Sequence, residues 1–138
     1  MPQIIRFGVS IEKELLSKFD KIIKKEQYSN RSEAIRDLIR KGLVKEQWQS
    51  KAIVIGSISL VYDHHKRELV EKLIEIQHEF HTLVVSTQHI HVDHDNCFEV
   101  VIVKGKADQV RKLSQKMQSE KGVKYLSLSM STTGQGIV

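Results

Sequence analysis

Three histidines and the only cysteine form the pattern in this chain most able to do chemistry: His78, then His89-x-His91, then Cys97. Imidazoles with a thiolate suit a borderline-soft divalent ion rather than a hard, oxygen-seeking one. Tetrahedral nitrogen and sulfur sets favour zinc, whereas square-planar nitrogen-rich sets favour nickel(II) or copper(II). Residue types alone leave all three metals open. Two positions apart on a strand, His89 and His91 leave the same face. A hairpin turning about His94 sets Cys97 across from His91 and Glu99 across from His89. Glu99 can then accept a hydrogen bond from the free nitrogen of His89 and orient its ring. His78 falls near the end of the preceding helix, away from the hairpin tip, so a neighbouring subunit is where it is expected to act. Solvent-facing strand histidines and buried small cysteines are common by themselves. The cross-strand cysteine is what raises the metal reading above that background. His81 and His94 have no such partner and read as surface residues; His64 and His65 begin a helix and read as solvated there, with an auxiliary site as the lesser alternative.

The elements that must hold these residues follow from periodicity. Strands are expected over 52–61, 82–92, 98–103 and 123–131, with helices over 66–80 and 107–120 and a turn at 93–96. Gly122 reads as a helix C-cap, and the tail 132–138 reads as loose. The order βαββαβ is the ferredoxin-like arrangement. Ahead of it, Ile5, Phe7, Val9 and Ile11 alternate with Arg6, Gly8 and Ser10, which predicts a half-buried strand. Ser10 is placed to cap a helix with apolar positions Leu15, Leu16, Phe19, Ile22 and Ile23. Asn30 with Glu33 makes a capping-box-like start for a second helix bearing Ala34, Ile35, Leu38, Ile39 and Leu43. One strand and two helices are too little to bury a core. Two chains that pair these strands antiparallel and interlock the helices solve that problem, so a dimer is expected. Residues 45–51, with Trp48, read as a polar helical continuation into a linker. The fold class is therefore α+β, with one domain over 1–48 and another over 52–138.

Charge divides along the same line. The 138 residues carry 22 Lys and Arg against 17 Asp and Glu, a net +5. Residues 1–50 hold 11 of these basic groups against 7 acidic ones, and all seven histidines come later. A basic front suits an anionic polymer and an imidazole-rich rear suits metal. A two-stranded ribbon fits the DNA major groove, with Arg6, Gly8 and Ser10 on its outer face and Arg6 able to bind guanine bidentately. Asn30, Arg31 and Ser32 begin a helix whose free N–H groups can clamp a phosphate, with Arg36 alongside. The opposing reading makes the front a dimerisation or toxin-binding module with incidental charge. No apolar run reaches membrane-span length and no signal peptide is evident, so a cytoplasmic location is expected. A lone cysteine makes no internal disulfide. No oxyanion-hole motif or Gly-rich phosphate loop accompanies the thiolate, and an enzyme is not expected.

At Arg6-x-Gly8-x-Ser10 and at 28–37, Tyr-Ser-Asn-Arg-Ser-Glu-Ala-Ile-Arg-Asp, the front resembles ribbon-helix-helix repressors. To about Ser131 the chain resembles the NikR family of nickel-responsive transcriptional regulators, on the spacing His78, His89-x-His91, Cys97-Phe98-Glu99. The resemblance implies an ACT-type C-terminal domain and a homotetramer, a dimer of dimers with two ribbon-helix-helix pairs flanking the core. It implies one square-planar Ni(II) per subunit on His89, His91 and Cys97 of one chain and His78 of another. Nickel would order the helix carrying His78 and let two heads reach two half-sites of a palindromic operator, repressing nickel uptake genes. Glu33 and Asp37 match family positions for a second, weaker cation site, although Glu33 is equally well explained as a cap residue. Gly8 stands where relatives often carry a hydroxyl, so base readout differs there. Two other classes compete: an antitoxin-like repressor gripping a protein partner, and a repressor whose ACT-type domain senses an amino acid.

Overall fold

Alternating apolar and polar residues over 53–63 and 96–106 make two long strands, each buried at every second position. Around them the structure, a computed structural model describing residues 2–138, orders its elements as α1 (Lys13–Lys25), α2 (Arg31–Gln49), β1 (Ile53–Asp63), α3 (Arg67–Glu79), β2 (Val84–His91), β3 (Asn96–Lys106), α4 (Ala107–Gln118) and β4 (Val123–Met130). Contacts divide the chain into two units, one reaching to Ile39 and the other running Arg40–Val138. Helix α2 contributes to both.

In the second unit the sheet order is β2-β3-β1-β4, with every neighbouring pair antiparallel. β3 lies between β1 and β2, the strands that the α3 crossover joins, as the βαββαβ order requires. α3 contributes Leu69, Leu73 and Ile76 to the core, and α4 contributes Ala107, Val110, Leu113 and Met117. From the sheet come Val54, Ile58, Leu60, Tyr62, Cys97, Val101 and Val103. The opposite face of the sheet, with Ile55, Val61, Phe98, Val100 and Ile102, is only half-buried within one chain. Gly122 adopts φ 104 in the turn into β4, whereas α4 itself ends at Ser119 in helical conformation.

Two expectations are corrected here. Trp48 is 1% exposed and part of the core, not of a polar linker. Its indole N–H donates to the Ser131 carbonyl at 2.8 Å, and Gly56 leaves room for the ring, since a Cβ there would lie 3.2 Å from it. Charged neighbours concealed a helix face that is apolar only at its end. The tail is also tied down: Thr132 Oγ1 donates to Gln47 at 2.9 Å, Gln47 Nε2 to the Gln135 carbonyl at 3.2 Å, and Arg40 Nε to the Val138 carbonyl at 2.7 Å.

In the first unit residues 5–11 make no hydrogen-bonded strand within the chain, because a lone strand has no ladder to join. α1 starts after Glu12 rather than Ser10, without a side-chain cap. It ends in a Schellman turn, with Gln27 at φ 62 and the Tyr28 N–H reaching the Ile23 carbonyl at 3.0 Å. Asn30 does cap α2, accepting the Glu33 N–H at 2.9 Å. The reciprocal half of the box is missing, since the Glu33 carboxylate takes Arg36 instead.

Candidate metal centre and nucleic-acid face

Pairing of β2 with β3 sets His91 opposite Cys97 and His89 opposite Glu99. Alternation puts all four on the sheet face that carries the helices. β2 is the edge strand, so both histidines are exposed, while Cys97 and Glu99 are 1% and 2% exposed. The thiol thus lies at the rim of the core, at the register position of an imidazole.

Glu99 is a buried carboxylate and needs partners. One oxygen accepts Gln77 Nε2 at 3.2 Å and contacts His89 Nε2; the other, Oε2, is buried without a hydrogen-bond partner. Gln77 on α3 in turn accepts the Thr87 hydroxyl at 3.0 Å. On the other flank Tyr62 of β1 pairs with Cys97, and its hydroxyl lies 3.5 Å from His89 Nε2. Burial first, then the Glu99 and Cys97 charges, hold the Tyr62 phenol well above its usual value, so it stays a neutral donor. Tyr62 and Gln77 escaped the sequence reading. The pairing of β1 with β3 is the signal for Tyr62; nothing local marks Gln77.

The remaining ligand candidates are not gathered into one cluster within a single chain. The His91 ring stacks on His64 at 4.6 Å and 12°, and exposed His78 lies near His81, with ring centroids 6.0 Å apart. A donor set of two imidazoles and a thiolate fits a borderline divalent ion, and the orphaned Glu99 Oε2 marks a site short of a partner. Among the described residues, the one trio of potential donors lying within 4.8 Å of one another is His65, His94 and Asp95. The sequence reads His94 as a surface residue and His65 as solvated at a helix start, with an auxiliary site there as the lesser alternative. Antiparallel β1 and β3, with Asp63 opposite Asn96, put the end of one strand beside the turn before the other.

In the first unit Arg6, Gly8 and Ser10 are exposed along the unpaired segment. A groove of about 780 Å³ runs between that segment and α2, lined by Arg6, Arg31, Ser32 and Arg36 among apolar neighbours. Asn30 spends its side chain on the α2 cap. Arg31 makes a bidentate pair with Asp20 at 3.0 and 2.9 Å, and that hydrogen bond holds the Asp20 carboxyl below its ordinary value. Arg36 pairs with Glu33, and the Tyr28 hydroxyl donates to Asp37. Both acidic residues expected at a weaker cation site are therefore already engaged.

Residues 55–131 match the family described as the NikR C terminal nickel binding domain. Residues 5–46 match ribbon-helix-helix proteins of the copG family. Among curated relatives, a protein of Syntrophus aciditrophicus is 53% identical over 98% of each chain. One of Chlorobium limicola is 51% identical over 97% of this chain and all of the relative, and one of Solidesulfovibrio magneticus is 52% identical over the full length of both. Each bears the name "Putative nickel-responsive regulator". Among solved structures, an uncharacterized protein of Thermotoga maritima superposes with a TM-score of 0.51 at 16% identity, covering 55% of this chain and 94% of its own. That likeness concerns the fold alone.

Proposed function

The chain belongs to the NikR family of nickel-responsive regulators, with a ribbon-helix-helix head and a nickel-binding C-terminal domain, and from that premise we propose how its own residues join the two activities. It is a nickel-responsive transcriptional regulator, not an enzyme. In our reading His89, His91 and Cys97 hold one Ni(II) per subunit, and His78 of another subunit supplies the fourth donor. The β2–β3 register carries this reading, because it brings two imidazoles to the rim where the only thiol is buried. A nickel ion there supplies a fixed positive centre linking two subunits. Glu99 orients His89 and, through Gln77, holds α3, the helix bearing His78. Tyr62 remains neutral and helps close the site to water. Order at the rim is thereby coupled to order along α3, which is a population shift rather than a new fold.

A dimer of dimers accounts for two unsatisfied surfaces. The half-buried outer face of the sheet calls for a partner in the second unit, and the unpaired segment 5–11 calls for one in the first. Paired heads would offer Arg6, Gly8 and Ser10 to two half-sites of a palindromic operator in cytoplasmic DNA. Nickel-bound protein would then repress nickel uptake genes. The test is operator binding by full-length protein with and without Ni(II), using Zn(II) and Cu(II) as controls. Nickel should tighten binding in the native protein and have no such effect in Cys97→Ala. A Cys97→Ala protein that still answers nickel with native affinity rejects this ligand set.

A further inference from the structure

At the end of α3 three consecutive residues point three ways, because successive positions on a helix turn by about 100°. Gln77 faces the sheet, donating to Glu99 at 3.2 Å and accepting from Thr87 at 3.0 Å. His78, next along, is exposed. Glu79 faces the other helix, where Lys116 Nζ of α4 donates to its carboxylate at 2.7 Å. The same ammonium stands 5.7 Å from the centre of the Phe80 ring, which packs against the core at the helix C-cap. The chain beyond is fastened as well. The His81 N–H donates to the His78 carbonyl at 3.2 Å, and the Leu83 N–H to the Phe80 carbonyl at 2.9 Å. Leu83 is buried over Gly105, where a Cβ would lie 2.4 Å from it, and its carbonyl accepts the Lys104 N–H at 2.8 Å. His78 thus sits between two anchored flanks, Gln77 tied to the sheet and Glu79 tied to α4.

We propose that Lys116 is a positioning residue for nickel: from α4 it clasps Glu79 and Phe80, keeping the last turn of α3 helical and His78 ordered for the site it completes in another subunit. This role presupposes the reading of His78 as the fourth donor. Helix ends fray because their last carbonyls lack helical partners, and an imidazole on a frayed turn must be ordered before it binds. A metal that meets only a fraction of competent conformers loses affinity by that fraction. Gln77 secures one flank of the turn. Lys116 secures the other with an ion pair and a cation–π contact at once. Both charged partners are partly exposed, so the clasp shifts the ordered fraction a few-fold rather than deciding whether α3 folds. The sign of the effect is diagnostic. A positive charge can only repel a cation, so removing it by electrostatics alone would tighten nickel or leave it unchanged. Removing a positioning clasp weakens it.

The test compares Lys116→Ala, Lys116→Arg and Lys112→Ala in full-length protein, by amide hydrogen exchange without metal and by calorimetric titration with Ni(II). Lys116→Ala should speed exchange of the Phe80, His81 and Leu83 amides by about three- to fivefold and weaken nickel by a similar factor. Lys116→Arg, which keeps the cation, should leave both at native values. Lys112→Ala, which removes the same charge from the same helix, should change neither. His78→Ala separates the two readings. With His78 replaced, nickel should bind more weakly and ignore a further Lys116→Ala, while exchange still responds to it. Native nickel affinity in His78→Ala rejects the fourth donor and the clasp with it. If His78→Ala does weaken nickel, then native exchange rates or undiminished nickel affinity in Lys116→Ala overturn the clasp alone.

Discussion

Phe7 is 71% exposed, and Ile4, Ile5 and Val9 are also mostly uncovered, whereas Ile58, Leu60, Val101 and Leu113 are fully buried. The contrast lies in chain economy rather than composition, because both regions carry apolar residues at regular spacing. Two helices over a four-stranded sheet enclose a core inside one chain. One unpaired segment and two helices enclose almost nothing; Ala34 is the buried apolar residue there. A groove of about 660 Å³ lined by Phe7, Val9, Ile11, Leu15, Phe19 and Leu38 remains open. The first region is an incomplete half that, in the proposed dimer, a second copy would complete, while the second builds its own core and carries His89 and His91 on its edge strand.

Substitutions can break that contrast or sharpen it. The largest effect is expected from Trp48→Ala, which empties the core of the second unit and should cost about 3–5 kcal/mol in denaturant unfolding. A loss below about 1 kcal/mol would return Trp48 to the linker role its neighbours suggest. Phe7→Ala should leave the core transition of the second unit unmoved yet weaken head pairing by about 1.5–3 kcal/mol per chain, seen as a stronger concentration dependence of dimerisation. If pairing were indifferent to Phe7, the head would have to be completed in some other way. Gly56→Ala should destabilise the second unit by about 1–3 kcal/mol, because the new Cβ meets the Ser129 carbonyl at 2.6 Å and the Trp48 ring.

The smallest effect is expected from Asp20→Asn. The Asp20 carboxyl is depressed chiefly by its hydrogen bond from Arg31. Its stabilising contribution is therefore present above its ordinary value near 3.8 and lost as pH falls through the lower native value. The substitution should flatten the acid-side loss of helix signal in the first unit and leave the core of the second unit untouched. An acid limb identical to that of the native protein would deny the pair any part in the head.

Much of this was legible before any coordinates. Strand alternation at His89 and His91, with a turn at 93–96, suffices to predict the Cys97 and Glu99 pairings, and the structure has both. Asn30 announces its cap because a side-chain oxygen three residues before an amide is a local device. Trp48 was misread because a polar run hides a single inward position. Gln77 and Tyr62 were missed because their partners lie 22 and 27 residues away. Of the cluster of His65, His94 and Asp95 the sequence offers only His65, as the lesser alternative of an auxiliary site, because the cluster joins two loops that only the β1–β3 pairing brings side by side.

The amino-acid sequence by itself determined the element order, the donor types and the split between a basic head and a histidine-rich body. Each of these rests on periodicity or composition, which act over a few residues. The tertiary structure alone decided which carboxylate is buried with an orphaned oxygen, which tryptophan closes the core and which loop histidines converge. Those outcomes depend on distances across the sheet, where neighbours are chosen by strand order and burial rather than by position along the chain.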